Sequence, residues 1–388
     1  MYHFAVMPLL LKDIPASEYW LRDPGQQDLE DFLNIVRSLS EETPGNVTVG
    51  VIGDWGTGKT SFLLALQKRF ASENIPVVYY EAWKFADDPH PLPSLLKTLE
   101  QSLKSPREGL EEARGKLTKL IKDLRLSVEL RLPLLTVSAE TDSHFLPASL
   151  QWELYEKLND SVGEILQATP KETPIGLVLL VDDLDRLLPE KAFHVMEVLR
   201  FYFDLDRVLV IMGVNDRVIV RHLQKRLNTE AREAEGFLDK VFHWRYEMPP
   251  ARFNRMALRL QEEAELPEKE LRILQEIFED EYLHLPFRKW IKLFNRILLH
   301  RQRGRQGSLP LWAFLAAVYE LAPGAARAHL RPFGEILENR LWDQGLESQD
   351  PYLQGFLAAY AEDTSVVGHP ARVLQALYQR ALKQAGQP

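Results

Sequence analysis

Residues 47–61 read VTVGVIGDWGTGKTS, the segment of the chain that most strongly indicates its fold. Its first six residues, Val47 to Ile52, are apolar and largely β-branched, which is typical of a buried strand. Residues 53–60 fit the spacing G-x-x-x-x-G-K-[ST], and a helix is predicted from Lys59 to Ala71. A strand, a glycine-rich turn and a helix in this order predict a loop whose backbone N–H groups surround phosphate oxygens.

Each residue type in this turn has a chemical reason. Glycines let the backbone curl without a Cβ clash, Lys59 would reach the β and γ phosphates, and the Thr60 hydroxyl would ligate Mg²⁺. The alternative is an ordinary glycine turn. That alternative does not explain why the turn lies directly between a predicted strand and a predicted helix. The predicted nucleotide-binding residues are Gly53, Asp54, Trp55, Gly56, Thr57, Gly58, Lys59, Thr60 and Ser61.

A second apolar run, Leu177 to Val181, ends in two adjacent aspartates. Phosphoryl transfer needs one carboxylate on the metal side and a group that orients the attacking water. We therefore predict Asp182 as the magnesium ligand and Asp183 as the catalytic base, against the alternative that both simply form a turn. Asp185 and Arg186 follow, where a local ion pair is as good an interpretation as catalysis.

The strand predicted at 208–212 is followed by Gly-Val-Asn-Asp-Arg. Polar groups at this strand end would lie beside the γ-phosphate, because the carboxyl ends of parallel strands share one sheet edge. We predict that Asn215 or Asp216 hydrogen-bonds the attacking water. The alternative is a turn that caps a helix beginning near Val218.

The rest of the chain extends this pattern. Further strands are predicted at 77–80 and 241–246, and five strands alternating with helices predict an α/β parallel sheet. Residues 1–250 would form this core, with an insertion at about 104–148 in which 128–132 alternates like a strand. Residues 251–388 are predicted to form a second, all-α region.

Composition excludes several classes of protein. The 388 residues contain no cysteine, which rules out disulfides, thiolate catalysis and cysteine-ligated zinc. A net charge of −9 argues against coating nucleic acid with the whole surface. No apolar run reaches the ~18 residues of a membrane span, and the N-terminus does not read as a signal peptide, so we expect a cytoplasmic protein.

One segment departs from this acidic balance. Residues 288–308 contain seven Lys or Arg and no Asp or Glu. Arg288 is a candidate to contact the nucleotide from the helical region. The basic segment from Arg288 to Arg305 is a candidate surface for nucleic acid or an acidic partner, and a solvated basic helix face is the alternative.

An ordered series of motifs resembles the KAP family of P-loop NTPases. The family's G-x-W-G-x-G-K-[ST]-S loop is similar to residues 53–61, and its A-W-x-[FY] element to residues 82–85. Its D-D-L-D-R signature is similar to residues 182–186, and its D-R pair to residues 216–217. The paired prolines at 249–250 and the segment 286–295 extend the resemblance, although Pro-Phe-Arg at 286–288 is one residue longer than the family's Pro-Arg.

The resemblance implies an additional-strand P-loop sheet, in which one strand lies between those that carry Lys59 and Asp182. It also implies ATP hydrolysis and a switch-like or scaffold role, and the insertion lacks the apolar segments that many members carry there. The expected function is a Mg²⁺-dependent ATPase coupled to a conformational switch, working with a protein partner or as a homo-oligomer. The family includes a phage-exclusion protein, which suggests defence against phage or plasmids. The alternatives are a non-hydrolysing ATP-gated scaffold and a nucleic-acid-stimulated motor.

Overall fold

A computed structural model of the chain describes residues 10–22, 25–88, 90–103, 110–135, 148–227, 230–249, 251, 253–278, 285–302, 309–321 and 370–384. The chain forms two compact units. The larger spans Pro15–Met248, and the other combines Met1–Ile14 with Pro249–Pro388. The first residues, expected within the core that contains the sheet, belong to the helical unit in the structure.

The larger unit contains one five-stranded sheet with the order β2-β3-β4-β1-β5. Every strand pair is parallel, and β4 lies between β1 and β3. The predicted α/β parallel sheet of the additional-strand type is therefore confirmed. The strands are β1 (Val47–Ile52), β2 (Val77–Glu81), β3 (Leu177–Asp182), β4 (Val208–Val214) and β5 (Trp244–Glu247).

Apolar residues on both faces of the strands place helices on both sides of the sheet. In β3, Leu177 and Leu179 face one core cluster, whereas Val178 and Leu180 face the other. The helices of this unit are α1 (Gly25–Glu42), α2 (Lys59–Ser72), α3 (Pro91–Ser102), α4 (Leu110–Leu135), α5 (Ala148–Gln167), α6 (Pro189–Tyr202), α7 (Asp216–Leu227) and α8 (Ala231–Val241). Helices α1 and α2 cover one face, while α3 to α8 contribute to the core on the other.

Two local predictions were wrong. Residues 128–132, expected as a strand, lie inside α4. That helix buries Leu110, Ala113, Leu117 and Leu124 at helical spacing, and a five-residue alternation does not outweigh a helix already anchored in this way. The fifth strand begins at Trp244 and not at residue 241, because the preceding apolar residues end α8.

The helical unit is built from α9 (Phe253–Glu262), α10 (Glu268–Phe278), α11 (Phe287–Gln302), α12 (Leu309–Leu321) and α13 (Pro370–Gln384). Its core contains an aromatic cluster in which Trp290 and Phe294 stack and Phe278 meets both edge-on. The Trp290 indole N–H donates to the Ala251 carbonyl at 2.8 Å, so the buried ring keeps its hydrogen bond. Among the described helices of the chain, none has both the length and the apolarity to cross a membrane.

Hydrogen bonds explain why the N-terminal segment belongs to the helical unit. The Asn295 Oδ1 accepts from the Leu11 N–H at 2.8 Å, and the Asn295 Nδ2 donates to the Leu11 carbonyl at 3.0 Å. Arg259 donates to the Lys12 carbonyl at 2.7 Å. Both backbone groups of Leu11 are thus satisfied by one side chain of α11.

Candidate functional site

The glycine-rich turn between β1 and α2 has the backbone that the motif predicts. Gly56 and Gly58 adopt φ values of +82° and +101°, which residues with a Cβ rarely adopt. A Cβ on Gly53 would lie 2.6 Å from the Thr57 hydroxyl, so this position also needs glycine. The Thr57 hydroxyl donates to the Asp54 carbonyl at 2.9 Å and closes the turn.

Lys59 is the first residue of α2, and its side chain folds back across the turn. Its Nζ donates to the carbonyls of Gly53 at 2.7 Å and Asp54 at 3.2 Å, and lies 3.8 Å from the Asp185 carboxylate. Burial lowers the pKa of Lys59, and the negative charge of Asp185 opposes that shift. The ammonium group therefore lies inside the turn, beside the N-terminus of a helix, where an anion is favoured.

Asp182 ends β3 as a buried carboxylate, 2% exposed. Its Oδ2 accepts from the Tyr79 hydroxyl at 2.8 Å, and its Oδ1 accepts from the Asp183 N–H at 2.9 Å. Burial and the Asp182 charge raise the pKa of Tyr79, so this phenol stays a proton donor to the carboxylate. A Cβ on Gly213 of β4 would lie 3.1 Å from the Asp182 Oδ1, so a glycine allows this close approach.

Asp183 follows in a left-handed conformation, with φ +61°. Aspartate tolerates left-handed backbone angles better than most residues. Because of this turn, the Asp183 side chain does not continue the alternation of side chains between the two faces of β3. Burial, and then the neighbouring Asp182, raise the pKa of Asp183 to about 6, while Arg186, whose guanidinium lies 2.9 Å away, opposes the shift. A carboxylate with a raised pKa is better suited to accept a proton near neutral pH than an ordinary one.

At the end of β4, Asn215 connects the phosphate loop to α7. Its Nδ2 donates to the Asp54 Oδ1 at 3.2 Å, and its Oδ1 accepts from the Val218 N–H at 3.3 Å. The capping alternative is thus realised in the structure, together with a contact to the loop. The Asp216 Oδ1 accepts from the Arg217 N–H at 2.8 Å, and the Arg217 guanidinium lies 3.8 Å from the Asp54 carboxylate.

The other predicted residues have different surroundings. The Ser61 hydroxyl accepts from the Ala16 N–H at 3.0 Å, so it fixes the segment before α1. Thr60 is the second residue of α2, next to Lys59. Arg288 belongs to the helical unit, where its Nε donates to the Asp13 carboxylate at 2.8 Å. A contact of Arg288 with the nucleotide therefore remains a prediction.

The basic segment of α11 is partly neutralised by acids from other elements. Arg296 pairs with Glu320 at 3.1 Å and Arg301 with Glu270 at 3.0 Å, in addition to the Arg288 pair. Arg303 and Arg305 lie outside the described residues. A count of Lys and Arg residues in this segment overestimates the positive charge on the surface of the helix. The acids that neutralise part of it lie in other elements and are not included in such a count.

The surroundings of Asp185 are not predictable from the sequence. The ion pair between Asp185 and Arg186, one of the two interpretations of this segment, is absent among the described contacts, because Arg186 pairs with Asp183 and the buried Asp185 faces Lys59 and Trp55. The Trp55 indole N–H donates to the Asp185 Oδ2 at 2.9 Å. The contact with Lys59 follows from the burial of the Asp185 carboxylate. The spacing of residues within the D-D-L-D-R segment does not indicate which of its aspartates is turned toward the lysine.

A cavity of about 620 Å³ lies elsewhere in the same unit, between α5, α6 and α8. Aromatic side chains such as Trp152, Phe193 and Phe237 line it. It shares no residue with the phosphate loop or with the ends of β3 and β4. This cavity is therefore separate from the site that the motifs and the glycine geometry define.

The residues at the sheet edge fit a nucleotide with Mg²⁺. The glycine turn forms a cradle that a Cβ would obstruct, and a hydroxyl and a buried carboxylate, on Thr60 and Asp182, are oxygen ligands of the kind Mg²⁺ prefers. Among the described residues, no group of three His, Asp or Glu side chains could hold a metal ion. This arrangement suits a magnesium ion that is bound through few side chains together with phosphates.

The order of the strands, the glycine turn and the carboxylates at the end of β3 define a P-loop nucleotide-binding NTPase fold. The KAP family P-loop domain matches residues 32–299, and the chain belongs to this family. It is similar to the phage T7 exclusion protein of Escherichia coli K12, with 23% identity over 269 residues. The match covers 62% of this chain and 34% of that protein, so the chain spans about a third of the length of this relative.

Two solved structures with detectable similarity come from Aeropyrum pernix and Thermotoga maritima. The Aeropyrum pernix ORC2 protein has 13% identity and a TM-score of 0.41, covering 94% of this chain and 96% of its own. Domain III of the Thermotoga maritima replication initiation protein DnaA has 14% identity and a TM-score of 0.37, covering 79% and 96%.

Proposed function

We propose that the chain is a Mg²⁺-dependent ATPase that couples ATP binding and hydrolysis to a conformational switch. The observation that carries this proposal is the pair of neighbouring carboxylates at the end of β3. Asp182 is buried and accepts two hydrogen bonds, whereas Asp183 is turned by its left-handed backbone and has a pKa raised to about 6. Two adjacent acids in different environments can take two different roles.

The chain's own groups supply most of the chemistry. Backbone N–H groups of residues 53–60 would bind the phosphates, and the Lys59 ammonium would stabilise negative charge that develops on them. Thr60 and Asp182 would hold Mg²⁺, which neutralises phosphate charge when bound. Asp183 would accept a proton from the attacking water, and Asn215, hydrogen-bonded to the loop through Asp54, would orient that water or report on it.

The same contacts suggest how a switch would work. The Asp54 carboxylate accepts a hydrogen bond from Asn215, which directly precedes α7, and lies near Arg217 in the first turn of that helix. If a bound phosphate shifts the turn, the Asp54 carboxylate moves with it. Its contacts with Asn215 and Arg217 would then change the position of α7. A scaffold that holds ATP without cleaving it would use these contacts equally well, so only turnover separates it from an ATPase.

The test is hydrolysis and ATP affinity measured on one set of variants. We expect Asp183→Asn to lower kcat about a hundredfold or more while the Kd for ATP changes little. Lys59→Ala should weaken both, and Asp160→Asn, an exposed acid on α5, should change neither. Equal hydrolysis by the wild type and Asp183→Asn would reject the base assignment, and no turnover by the wild type would favour the scaffold.

We also propose a role in defence against phage, which rests on the similarity to the phage T7 exclusion protein. Bacteria expressing the chain should reduce the plating efficiency of at least one phage in a panel. Lys59→Ala, expressed at the same level, should abolish that reduction. Equal plating with and without the chain across the panel would contradict the proposal.

A further inference from the structure

Asp185 is the buried carboxylate nearest to the phosphate-loop lysine. Its side chain is 2% exposed, and its Oδ2 lies 3.8 Å from the Lys59 Nζ. A buried ammonium requires nearby negative charge, because removing one partner of a buried ion pair leaves an uncompensated charge. Asp185 supplies that charge from a 3₁₀ helix (Leu184–Arg186) that directly follows the two predicted catalytic aspartates.

Lys59 has few donors to share. An ammonium group carries three N–H bonds, and two of them point at the carbonyls of Gly53 and Asp54. The remaining charge interaction can be made with Asp185 or with a phosphate oxygen in the turn. Asp185 and a phosphate group would compete for the Lys59 ammonium. The Asp185 carboxylate therefore lowers the affinity of the turn for phosphate.

Trp55 changes the balance of this competition. The residue is 59% exposed, yet its indole N–H points inward and donates to the Asp185 Oδ2 at 2.9 Å. A hydrogen bond to that oxygen stabilises the carboxylate without Lys59. The hydrogen bond from Trp55 therefore weakens the electrostatic interaction between Asp185 and Lys59.

We propose that Asp185 is a positioning residue that holds Lys59 in competition with phosphate and so sets the affinity of the loop for nucleotide, and that Trp55 weakens this hold. The inference rests on the proposed function only in that the turn binds phosphate. It does not require hydrolysis.

The first test is Asp185→Asn, which keeps an acceptor for Trp55 and removes the charge. We expect calorimetry to give Kd values for ATP and for inorganic pyrophosphate about three- to tenfold lower than in the wild type. The thermal midpoint without ligand should fall by roughly 5 °C or more, because Lys59 loses its compensating charge. Pyrophosphate should restore much of that loss. A merely structural role would lower stability and affinity together.

The second test is Trp55→Phe, which keeps an aromatic ring and removes the N–H donor. Asp185 should then act more strongly on Lys59, so the Kd for pyrophosphate should rise about threefold. In the Asp185→Asn background the same change should have almost no effect. Additive effects in this double-mutant cycle would mean that Trp55 contacts the ligand directly, and the inferred role of Trp55 would be wrong.

The matched control is Glu81→Gln. Glu81 lies opposite Asp182 at the same sheet edge and pairs with Lys84, so the substitution removes one negative charge without touching Lys59. Its Kd for pyrophosphate should stay within about twofold of the wild type. Weaker binding by Asp185→Asn, or an equal gain in Glu81→Gln, would overturn the inference. A wild type that binds ATP without cleaving it would contradict the ATPase and not this inference, whereas no binding by any variant would overturn both.

Discussion

At the end of β3, three aspartates within four positions lie in three different environments. Asp182 is buried and accepts hydrogen bonds from Tyr79 and a backbone N–H. Asp183 pairs with an exposed arginine from a left-handed backbone, and Asp185 faces the loop lysine. The same kind of side chain is therefore suited to three different tasks, because burial, neighbouring charge and hydrogen bonding each change what a carboxylate can do.

The raised pKa of Asp183 predicts a pH-dependent effect on stability. The folded chain raises this pKa from 3.8 to about 6, so the folded state binds a proton more tightly than the unfolded chain. The stability that protonated Asp183 contributes is fully present below about pH 4 and is lost as pH rises through about 6.

Denaturant unfolding of the wild type and Asp183→Asn, without nucleotide or divalent ions, would measure this effect. The free energy of unfolding of the wild type relative to the variant should decrease between about pH 4 and 6 and stay constant above. Asparagine also tolerates the left-handed backbone, so the comparison isolates the charge. A difference that does not vary with pH would contradict the raised pKa.

Gly58 provides a prediction about the phosphate turn. Its φ of +101° is strained for any residue with a Cβ, so Gly58→Ala should cost about 1–2 kcal/mol or distort the turn, and ATP affinity should fall. Gly115→Ala in α4 is the control, since a Cβ there meets nothing within 4 Å. It should stabilise the helix by about 0.5–1 kcal/mol and leave affinity unchanged. Calorimetric titration of both variants would decide.

At the scale of elements, α2 is held in place by aromatic packing. Phe62, one turn after Lys59, meets Trp20 edge-on at 4.8 Å and Phe32 at 5.1 Å, and stacks on Tyr246 at 5.4 Å. These rings come from a 3₁₀ helix (Ser17–Trp20), from α1 and from β5. The helix that positions the loop lysine is therefore fixed by three elements that are distant from it in the sequence.

Phe62→Ala should consequently destabilise the chain by about 3–5 kcal/mol, since it leaves a cavity in a fully buried cluster. Phe201→Ala on α6 removes the same atoms from a residue that is 45% exposed and should cost about 1 kcal/mol or less. Chemical denaturation of the two variants measures both values. Similar losses for the two would mean that the cluster around Phe62 is not a principal support of the fold.

In the molecule as a whole, the chain passes between the two units twice, first from the helical unit to the larger unit and then back. Residues up to Ile14 belong to the helical unit, and the chain returns to that unit at Pro249. Within the helical unit, the Asn295 amide hydrogen-bonds both backbone groups of Leu11. A hydrophobic pattern does not predict such a contact, because it pairs polar groups 284 residues apart.

Asn295→Ala should leave both backbone groups of Leu11 without this partner and reduce stability by about 1–3 kcal/mol. Hydrogen exchange should become faster at Leu11 and in the neighbouring turns of α11. Lys292→Ala, which alters an exposed side chain on the same helix, should leave these exchange rates unchanged. Unchanged protection at Leu11 in Asn295→Ala would contradict the assigned contact.

The class of the protein follows from local sequence. Strand, glycine turn and helix are local, so residues 47–60 specify the phosphate loop, and apolar runs of strand length specify a parallel sheet that needs helices on both faces. Three features become visible only in the folded chain: residues 128–132 are helical, the first residues join the helical unit, and acids from α10 and α12 pair with arginines of α11. The folded chain also shows that Asp185, and not its neighbours, faces Lys59. The reason is physical: burial and pairing depend on which distant segments meet in space, and the spacing of residues along one segment does not contain that information.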